Sequence, residues 1–440
     1  MSASPTVIVS TARTPMGRLL GGASRLSGAE LGAVAIRGAL ERAGVSPDTV
    51  DHVLMGQVLT AGAGQLPARQ AAIDAGISLS VPATTISKVC LSGIQSIILA
   101  DMMLRLGDAT RVIAGGQESM TRAPHLQEAR RGTKYGPIEM ADHMALDGLT
   151  DALTGEPMGL LTEQANDRFG ISRAEQDAFA ARSHQLAAAA WEAGYFADEV
   201  VPVHGARGEV LLERDESIRP DSTAESLGGL RASFREGGTI TAGNASPISA
   251  GAGALLRMSR DEAAAAGLSW IAEIGAHGMV AGPDTSLQEQ PAHAIEAACA
   301  REGITPADLD LVEINEAFAA VGISSANRLG IPLEKINVNG GAIALGHPLG
   351  MSGARIVAGT GEYVAGSHPP GLADRSVDAL AAEMTRDISD GVADTGIRAG
   401  VIGEIGAGQH PMADAERLVL RAAAQASRMT GAAIVAHPAP

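Results

Sequence analysis

Residues 35–53 read AIRGALERAGVSPDTVDHV and residues 294–312 read AIEAACAREGITPADLDLV, the same pattern 259 residues apart (294 minus 35) with no gap. Each copy is a helix-period stretch stopped at a glycine (Gly44, Gly303), a Ser-Pro or Thr-Pro start to a second short turn, and an apolar strand-like ending. The chain is therefore predicted to hold two similar halves. Upstream, Thr6–Val9, a helical pattern over Ala29–Ala43 and the run Val50–Met55 alternate strand and helix signals. That alternation predicts a layered α/β fold with largely parallel strands. Between the halves, roughly residues 121–235, the composition turns polar, with a helix expected at Arg173–Ala193 that Gly194 would stop, as in an inserted loop domain.

The repeat carries further than the segments that reveal it. Lys88 plus 259 is His347, so KVCLSG (88–93) becomes the counterpart of HPLGMS (347–352), and one residue later Ser92-Gly93 matches Ser352-Gly353. After Cys90 the chain reads LSGIQSIILADMMLRLGD, apolar nearly all round, which predicts a buried central helix. Cys90 would then sit at a helix N-terminus, where partial positive charge is expected to lower a thiol pKa. By pseudo-symmetry His347 would start the matching helix of the other half, and the two side chains would converge where the halves meet. A thiol and an imidazole so placed are the minimal pair for nucleophilic thiol catalysis; a cysteine before an apolar helix is equally readable as an inert core residue. Cys299, opposite Leu40 in the repeat, is expected to be structural.

Composition narrows the partners. A net charge of −17 repels polyanions, so any anionic ligand needs a local positive group, and five Phe, two Trp and three Tyr in 440 residues do not make a base-stacking platform. Nucleic acid and anionic membrane are not expected partners. Two cysteines build no disulfide framework and lack the spacing of a zinc site, the N-terminus shows no charged and apolar leader pattern, and no stretch approaches 18 consecutive apolar residues. A cytoplasmic location is expected.

Several ordered motifs then carry a family resemblance: TARTPMGR (11–18), KVCLSG (88–93), GGQESM (115–120), SRAEQDAFAARSHQ (172–185), TAGNAS (241–246), NEAFA (315–319) and NGGAIALGHPLGMSGARI (339–356). Residues 1 to about 357 resemble the thiolases, acetyl-CoA C-acetyltransferases. The resemblance implies a five-layer α/β/α/β/α fold of two pseudo-repeated halves. Residues 1–120 with 236–267 would form the first half, 121–235 the loop domain, and 268–357 an incomplete second half. It also implies that Cys90 attacks an acyl-CoA thioester and carries the acyl group, that His347 takes the thiol proton, and that Asn315 holds a water at the acyl oxygen. Leu149, Met158, Arg219, Ser226, Phe234, Ser246 and Phe318 match positions along the coenzyme A and acyl path, Arg219 supplying the positive group. Coenzyme A thioesters would be the substrates, with no metal or redox cofactor, and a homodimer or homotetramer would be the assembly. Pro157-Met158-Gly159 stands where relatives have His-Met-Gly, and Ala250 where an Asp is usual; both departures touch substrate range.

The larger departure begins at Ile356-Val357-Ala358. A thiolase would finish with a second cysteine in a glycine-rich turn, and this chain has no cysteine after Cys299. Carbon–carbon chemistry would lack its acid/base, so condensation and thiolysis are expected to be impaired. Residues 356–440 instead resemble a fragment of a phosphotriesterase-related amidohydrolase (IVAGTGEYV, TGIRAGVIGEIG, TGAAIVAHP), whose consecutive β/α units would put Glu404 and His437 at metal-ligand positions of an incomplete barrel. Glu404 in EIGAGQH also stands superficially where the second cysteine turn would be, but 57 residues after His347 (404 minus 347), beyond the family spacing. Three readings follow: a thiolase-type acyltransferase, a catalytically crippled acyl-CoA-binding and oligomerising homologue, and a metal-dependent hydrolase fragment.

Overall fold

The computed structural model describes residues 4–358 and the backbone of two later strands, Ile402–Ala407 and Ile434–Pro438. The principal sheet uses β1 (Thr6–Arg13), β2 (His52–Gly56), β3 (Ala83–Ile86), β4 (Arg111–Ser119) and β5 (Ser249–Ser259), side by side in the order β1–β5–β4–β2–β3. The sheet is mixed, not largely parallel. Strand β5 runs antiparallel to both neighbours, with Thr6 opposite Ser259 and Met258 opposite Arg111, while β4, β2 and β3 are parallel. Strand β5 returns after the long excursion through the loop region, so it need not obey the crossover rule that makes β2, β3 and β4 parallel. All eight residues of β1 are buried, the signature of a strand covered on both faces.

Helices cover the two faces. On β4, Gln117 reaches α1 (Gly28–Ala43) at Gly32, while its neighbour Gly116 meets the backbone of Gly350; consecutive strand residues point to opposite faces, so α1 and the Gly350 turn lie on opposite sides. Helix α1 is stopped at both ends by its own sequence. Ser27 and Glu30 form a reciprocal capping box, and Gly44 closes the helix in the left-handed region at φ 63°. Its Leu31, Ile36 and Leu40 are buried, each contributing on the order of 1.5–3 kcal/mol. Helix α2 (Pro67–Asp74) packs beside α1, and α3 (Ser92–Leu106) packs on β4 and β2 from the other face.

Helix α3 is buried on one side only, contrary to the expectation of burial all round. Ser92, Gly93, Ser96, Ile97, Ala100, Asp101 and Leu104 face the sheet, and Leu91, Met102 and Leu106 stay exposed. By length and composition the segment Val89–Leu106 is apolar enough to cross a membrane. Here that apolar character serves packing: Ser96 donates to the carbonyls of Gly93 and Gly115, and Asp101 accepts from Arg257 of β5.

The second copy of the repeat follows the first turn for turn until its last element. Helix α4 (Met158–Phe169) and α5 (Arg173–Glu192, ended at Ala193 with Gly194 beyond it at φ 80°) lead through the intervening region. Then α6 (Gln290–Glu302) ends at Gly303 (φ 76°), as α1 ends at Gly44. Short turns at Pro306–Asp308 and Pro47–Thr49 match in turn. Where the first copy continues into β2, the second makes only an isolated parallel bridge, Val312 to Ile336. Among the described residues the fourth of the five expected layers is thus reduced to this bridge. It is enclosed by Ala292 and Ile295 of α6 and by Val321, Ala326 and Leu329 of α7 (Ala319–Leu329). Phe179 and Ala180 of α5 pack on the other side of α7, against Ala319, Ala320 and Ile323.

The chain divides into two compact units, residues 1–260 with 273–360, and residues 261–272 with 361–440. In the second unit, strands Ile402–Ala407 and Ile434–Pro438 pair in parallel, with Gly406 opposite His437. Glu404 and His437 lie on these paired strands. Their side chains lie outside the described residues.

Candidate active site

Cys90 sits in a tight turn between β3 and α3. Val89 before it adopts φ 48°, a left-handed conformation uncommon for a β-branched residue, and the turn is tied by Leu91 N–H to Lys88 O at 3.1 Å and Ser92 N–H to Val89 O at 3.0 Å. The Ser92 hydroxyl closes it, accepting from Lys88 N–H at 2.8 Å and donating to Val89 O at 2.6 Å. This strained turn lifts the thiol above the helix entrance and leaves it partly accessible.

His347 comes from the second half, in the HPLGM turn that precedes α8 (Ser352–Ala358); it stands five residues before that helix rather than at its start. The two halves meet through glycine. A β-carbon on Gly93 would lie 2.7 Å from Ala354 N, and one on Gly353 would strike Ile94, a reciprocal pair of contacts related by the Ser-Gly match of the repeat. Gly350 has no room for a side chain either, with Gln117 O at 2.6 Å and Gln57 Cα at 2.8 Å from where one would begin. Glu118 at the end of β4 completes the join. Its carboxylate accepts from Val58 N–H at 2.9 Å, Leu59 N–H at 3.2 Å and, across the halves, Gly350 N–H at 3.0 Å.

The join brings His347 Nε2 to 3.2 Å from Cys90 Sγ and 3.3 Å from Asn315 Nδ2. On the far side of the ring, Nδ1 lies 2.6 Å from Ser352 Oγ, whose own proton goes to Pro348 O at 3.1 Å. A hydroxyl that donates to a carbonyl can only accept from the ring, so the hydrogen-bond pattern assigns the proton to Nδ1 and leaves the Nε2 lone pair facing the thiol. Asn315 must then present its NH2 to Nε2 and turn its oxygen away. Ser249 Oγ holds the His347 backbone N–H at 3.2 Å.

Burial sets the protonation states, and it reverses one expectation. Desolvation pushes the Cys90 thiol up to about 12, and the nearby Glu118 carboxylate adds to the rise; only its own backbone N–H, turned toward the sulfur, opposes them. The helix N-terminus does not deliver a lowered thiol, because Cys90 precedes Leu91, the residue that caps α3, and desolvation outweighs a partial charge. Desolvation also holds His347 down at about 4. The resting pair is a neutral thiol beside a neutral imidazole, poised for proton transfer as the sulfur attacks.

The other expected positions fall into three groups. Leu149 packs with Cys90, Met144 and Ile248 against Val58, Leu59, Met120 and Leu349, so it borders the thiol. Phe234 and Phe318 meet edge to face at 6.2 Å; Gly159, next to Met158, lies directly under the Phe234 ring, and Ser246 donates through N–H and Oγ to Ala317 O at 3.0 and 3.1 Å. Arg219 and Ser226 form no contact with that group. The Arg219 backbone N–H donates to His184 Nδ1 at 3.2 Å and its exposed guanidinium bonds to no other described residue, while Ser226 caps a short helix with Thr223. Cys299 is buried in α6, and no group of three metal-ligating side chains occurs among the described residues. Ser352, Ser249 and Glu118 carry the support of His347 and were not singled out from sequence, although Ser352 stands in the repeat match and Glu118 in GGQESM.

Residues 6–261 match the thiolase N-terminal domain family and residues 268–389 the thiolase C-terminal domain family. The chain belongs to the thiolase family. A probable acetyl-CoA acetyltransferase of Mycobacterium leprae is 59% identical over 355 residues, 80% of this chain and 90% of that protein. An acetyl-CoA acetyltransferase of Chromobacterium violaceum is 47% identical over 354 residues, with the same coverage of both chains. Residues 347–440 also match the phosphotriesterase family. The two matches overlap from 347 to 389, and the break expected at Ile356–Ala358 falls inside this overlap. The thiolase Cys90–His347 pair lies before that break.

Proposed function

We propose that the chain is an acetyl-CoA acetyltransferase-type enzyme whose first half-reaction is intact and whose carbon–carbon step is impaired. The observation that carries this reading is the 3.2 Å contact from Cys90 Sγ to the unprotonated Nε2 of His347. As Sγ attacks an acyl-CoA carbonyl, its proton moves to Nε2; the Cys90 N–H stabilises the oxyanion, and Nε2 returns the proton to the departing coenzyme A thiolate. Arg219 meets the anionic end of coenzyme A and the Phe234–Phe318 wall its pantetheine arm, in a homodimer or homotetramer that needs no metal or redox cofactor. Condensation requires a second group to handle the α-carbon proton. Relatives of this family use a second cysteine, and this chain has only Cys90 and the remote Cys299.

Intact-mass measurement after mixing with acetyl-CoA tests the reading, beside Cys90→Ala. An acetyl adduct confined to the unmodified chain, with coenzyme A released in step, is expected. No adduct on a folded chain that still binds coenzyme A would overturn it and favour an acyl-CoA-binding homologue.

A further inference from the structure

Once Cys90 is acylated, the site holds one base with two neighbours. The Nε2 of His347 lies between the acylated sulfur and the Asn315 amide, and the carboxamide oxygen of Asn315, turned away from the ring, accepts from no described residue. Asn315 is partly exposed, as is Cys90. An open carbonyl acceptor beside an unprotonated imidazole nitrogen, both next to an accessible acyl carbon, is a place for a water molecule that donates one hydrogen to Asn315 Oδ1 and the other to Nε2. The same base suits a carbon acid poorly. A proton on the carbon next to a thioester is far less acidic than one on water, and water loses its proton only as its oxygen bonds to the acyl carbon.

We propose that water discharges the acyl group from Cys90, making the chain an acyl-CoA hydrolase in which Asn315 and His347 hold and activate that water. The step rests on the acyl-enzyme reading above. Water oxygen bonds to the acyl carbon while one of its protons passes to Nε2. The tetrahedral intermediate, its oxyanion facing the Cys90 N–H, collapses with cleavage of the carbon–sulfur bond. Sγ recovers the proton from Nε2, releasing a carboxylic acid and the free thiol. Over the full cycle acyl-CoA and water become carboxylic acid and coenzyme A, with no other reactant. Asn315 touches the reacting water, so its loss slows discharge even where the acyl-enzyme has already formed.

The experiment loads the full chain with acetyl-CoA, removes coenzyme A by rapid desalting, and follows loss of the acetyl adduct by intact mass in water enriched in oxygen-18. Loss at least tenfold faster than from the same adduct unfolded in urea, with labelled acetate released in equal amount, is expected; a positioned base contributes about a hundredfold or more. Asn315→Leu, loaded in the same way, should slow the loss at least tenfold. An adduct that decays no more than tenfold faster than its unfolded form, yet is discharged by added coenzyme A, overturns the hydrolase and leaves the acyltransferase reading standing. So does formation of acetoacetyl-CoA faster than acetate. Absence of any adduct overturns the acyl-enzyme itself, and the hydrolase with it.

Discussion

Replacing Glu118 by Gln separates the charge of this buried carboxylate from its shape, and the outcome depends on pH. Burial pushes the Glu118 carboxyl from 4.5 up to about 7, against the three backbone N–H groups of Val58, Leu59 and Gly350 that favour the anion. The folded chain therefore holds the proton more tightly than the unfolded chain. The stability that comes from this extra affinity is fully present below about pH 4.5 and is lost as pH rises through about 7. A shift of about 2.5 pH units at 1.36 kcal/mol each amounts to about 3 kcal/mol. Glutamine does not titrate, and it offers one acceptor oxygen where the carboxylate offers two, so Glu118→Gln starts from a constant deficit of about 1–2 kcal/mol for the Leu59 N–H left facing an NH2 group. Urea unfolding at pH 5 and pH 8.5 measures both chains. The stability of the natural chain relative to the variant should fall by about 3 kcal/mol between those conditions, because every other titrating group is common to the two and cancels. A difference that does not change with pH, or that grows in favour of the natural chain at pH 8.5, refutes the assignment of a reluctant, desolvated carboxylate at the join of the halves.

Removing the Ser352 hydroxyl (Ser352→Ala) takes away the acceptor that fixes the His347 tautomer, and the rate of acetyl adduct formation from acetyl-CoA should fall about 10–100-fold with the fold intact by circular dichroism. Because desolvation holds His347 at about 4, single-turnover acylation should stay level from about pH 5.5 to 7.5 and drop only as pH approaches 4; an inflection near 6.5 would count against the buried imidazole. Gly93→Ala places a methyl 2.7 Å from Ala354 N and 2.9 Å from Gly350 O, both backbone atoms that cannot swing aside, so thermal unfolding should report a loss of about 1–3 kcal/mol and acylation should slow as the His347 turn is pushed outward.

The sequence by itself determined the doubled architecture, because a repeat of helix, glycine stop and proline turn is written in local signals: Gly44 and Gly303 take the left-handed conformation their positions demand, and the turns at Pro47 and Pro306 follow. It also marked Cys90 and His347, through the register that makes Ser92-Gly93 and Ser352-Gly353 equivalent. Local signals did not decide the direction of β5, whose partners β1 and β4 lie more than 130 residues away in the chain and are chosen by packing on both faces. Nor did they decide the charge state of the site. The helix entrance after Cys90 predicts a lowered thiol, yet desolvation, which depends on everything the fold gathers around the sulfur, pushes it the other way. The tautomer of His347 is likewise a property of the assembled turn, since Ser352 can accept the Nδ1 proton only because its own proton is committed to Pro348 O. Motifs name the reacting groups; burial and hydrogen-bond partners, supplied by residues remote in sequence, decide which of them carries the proton.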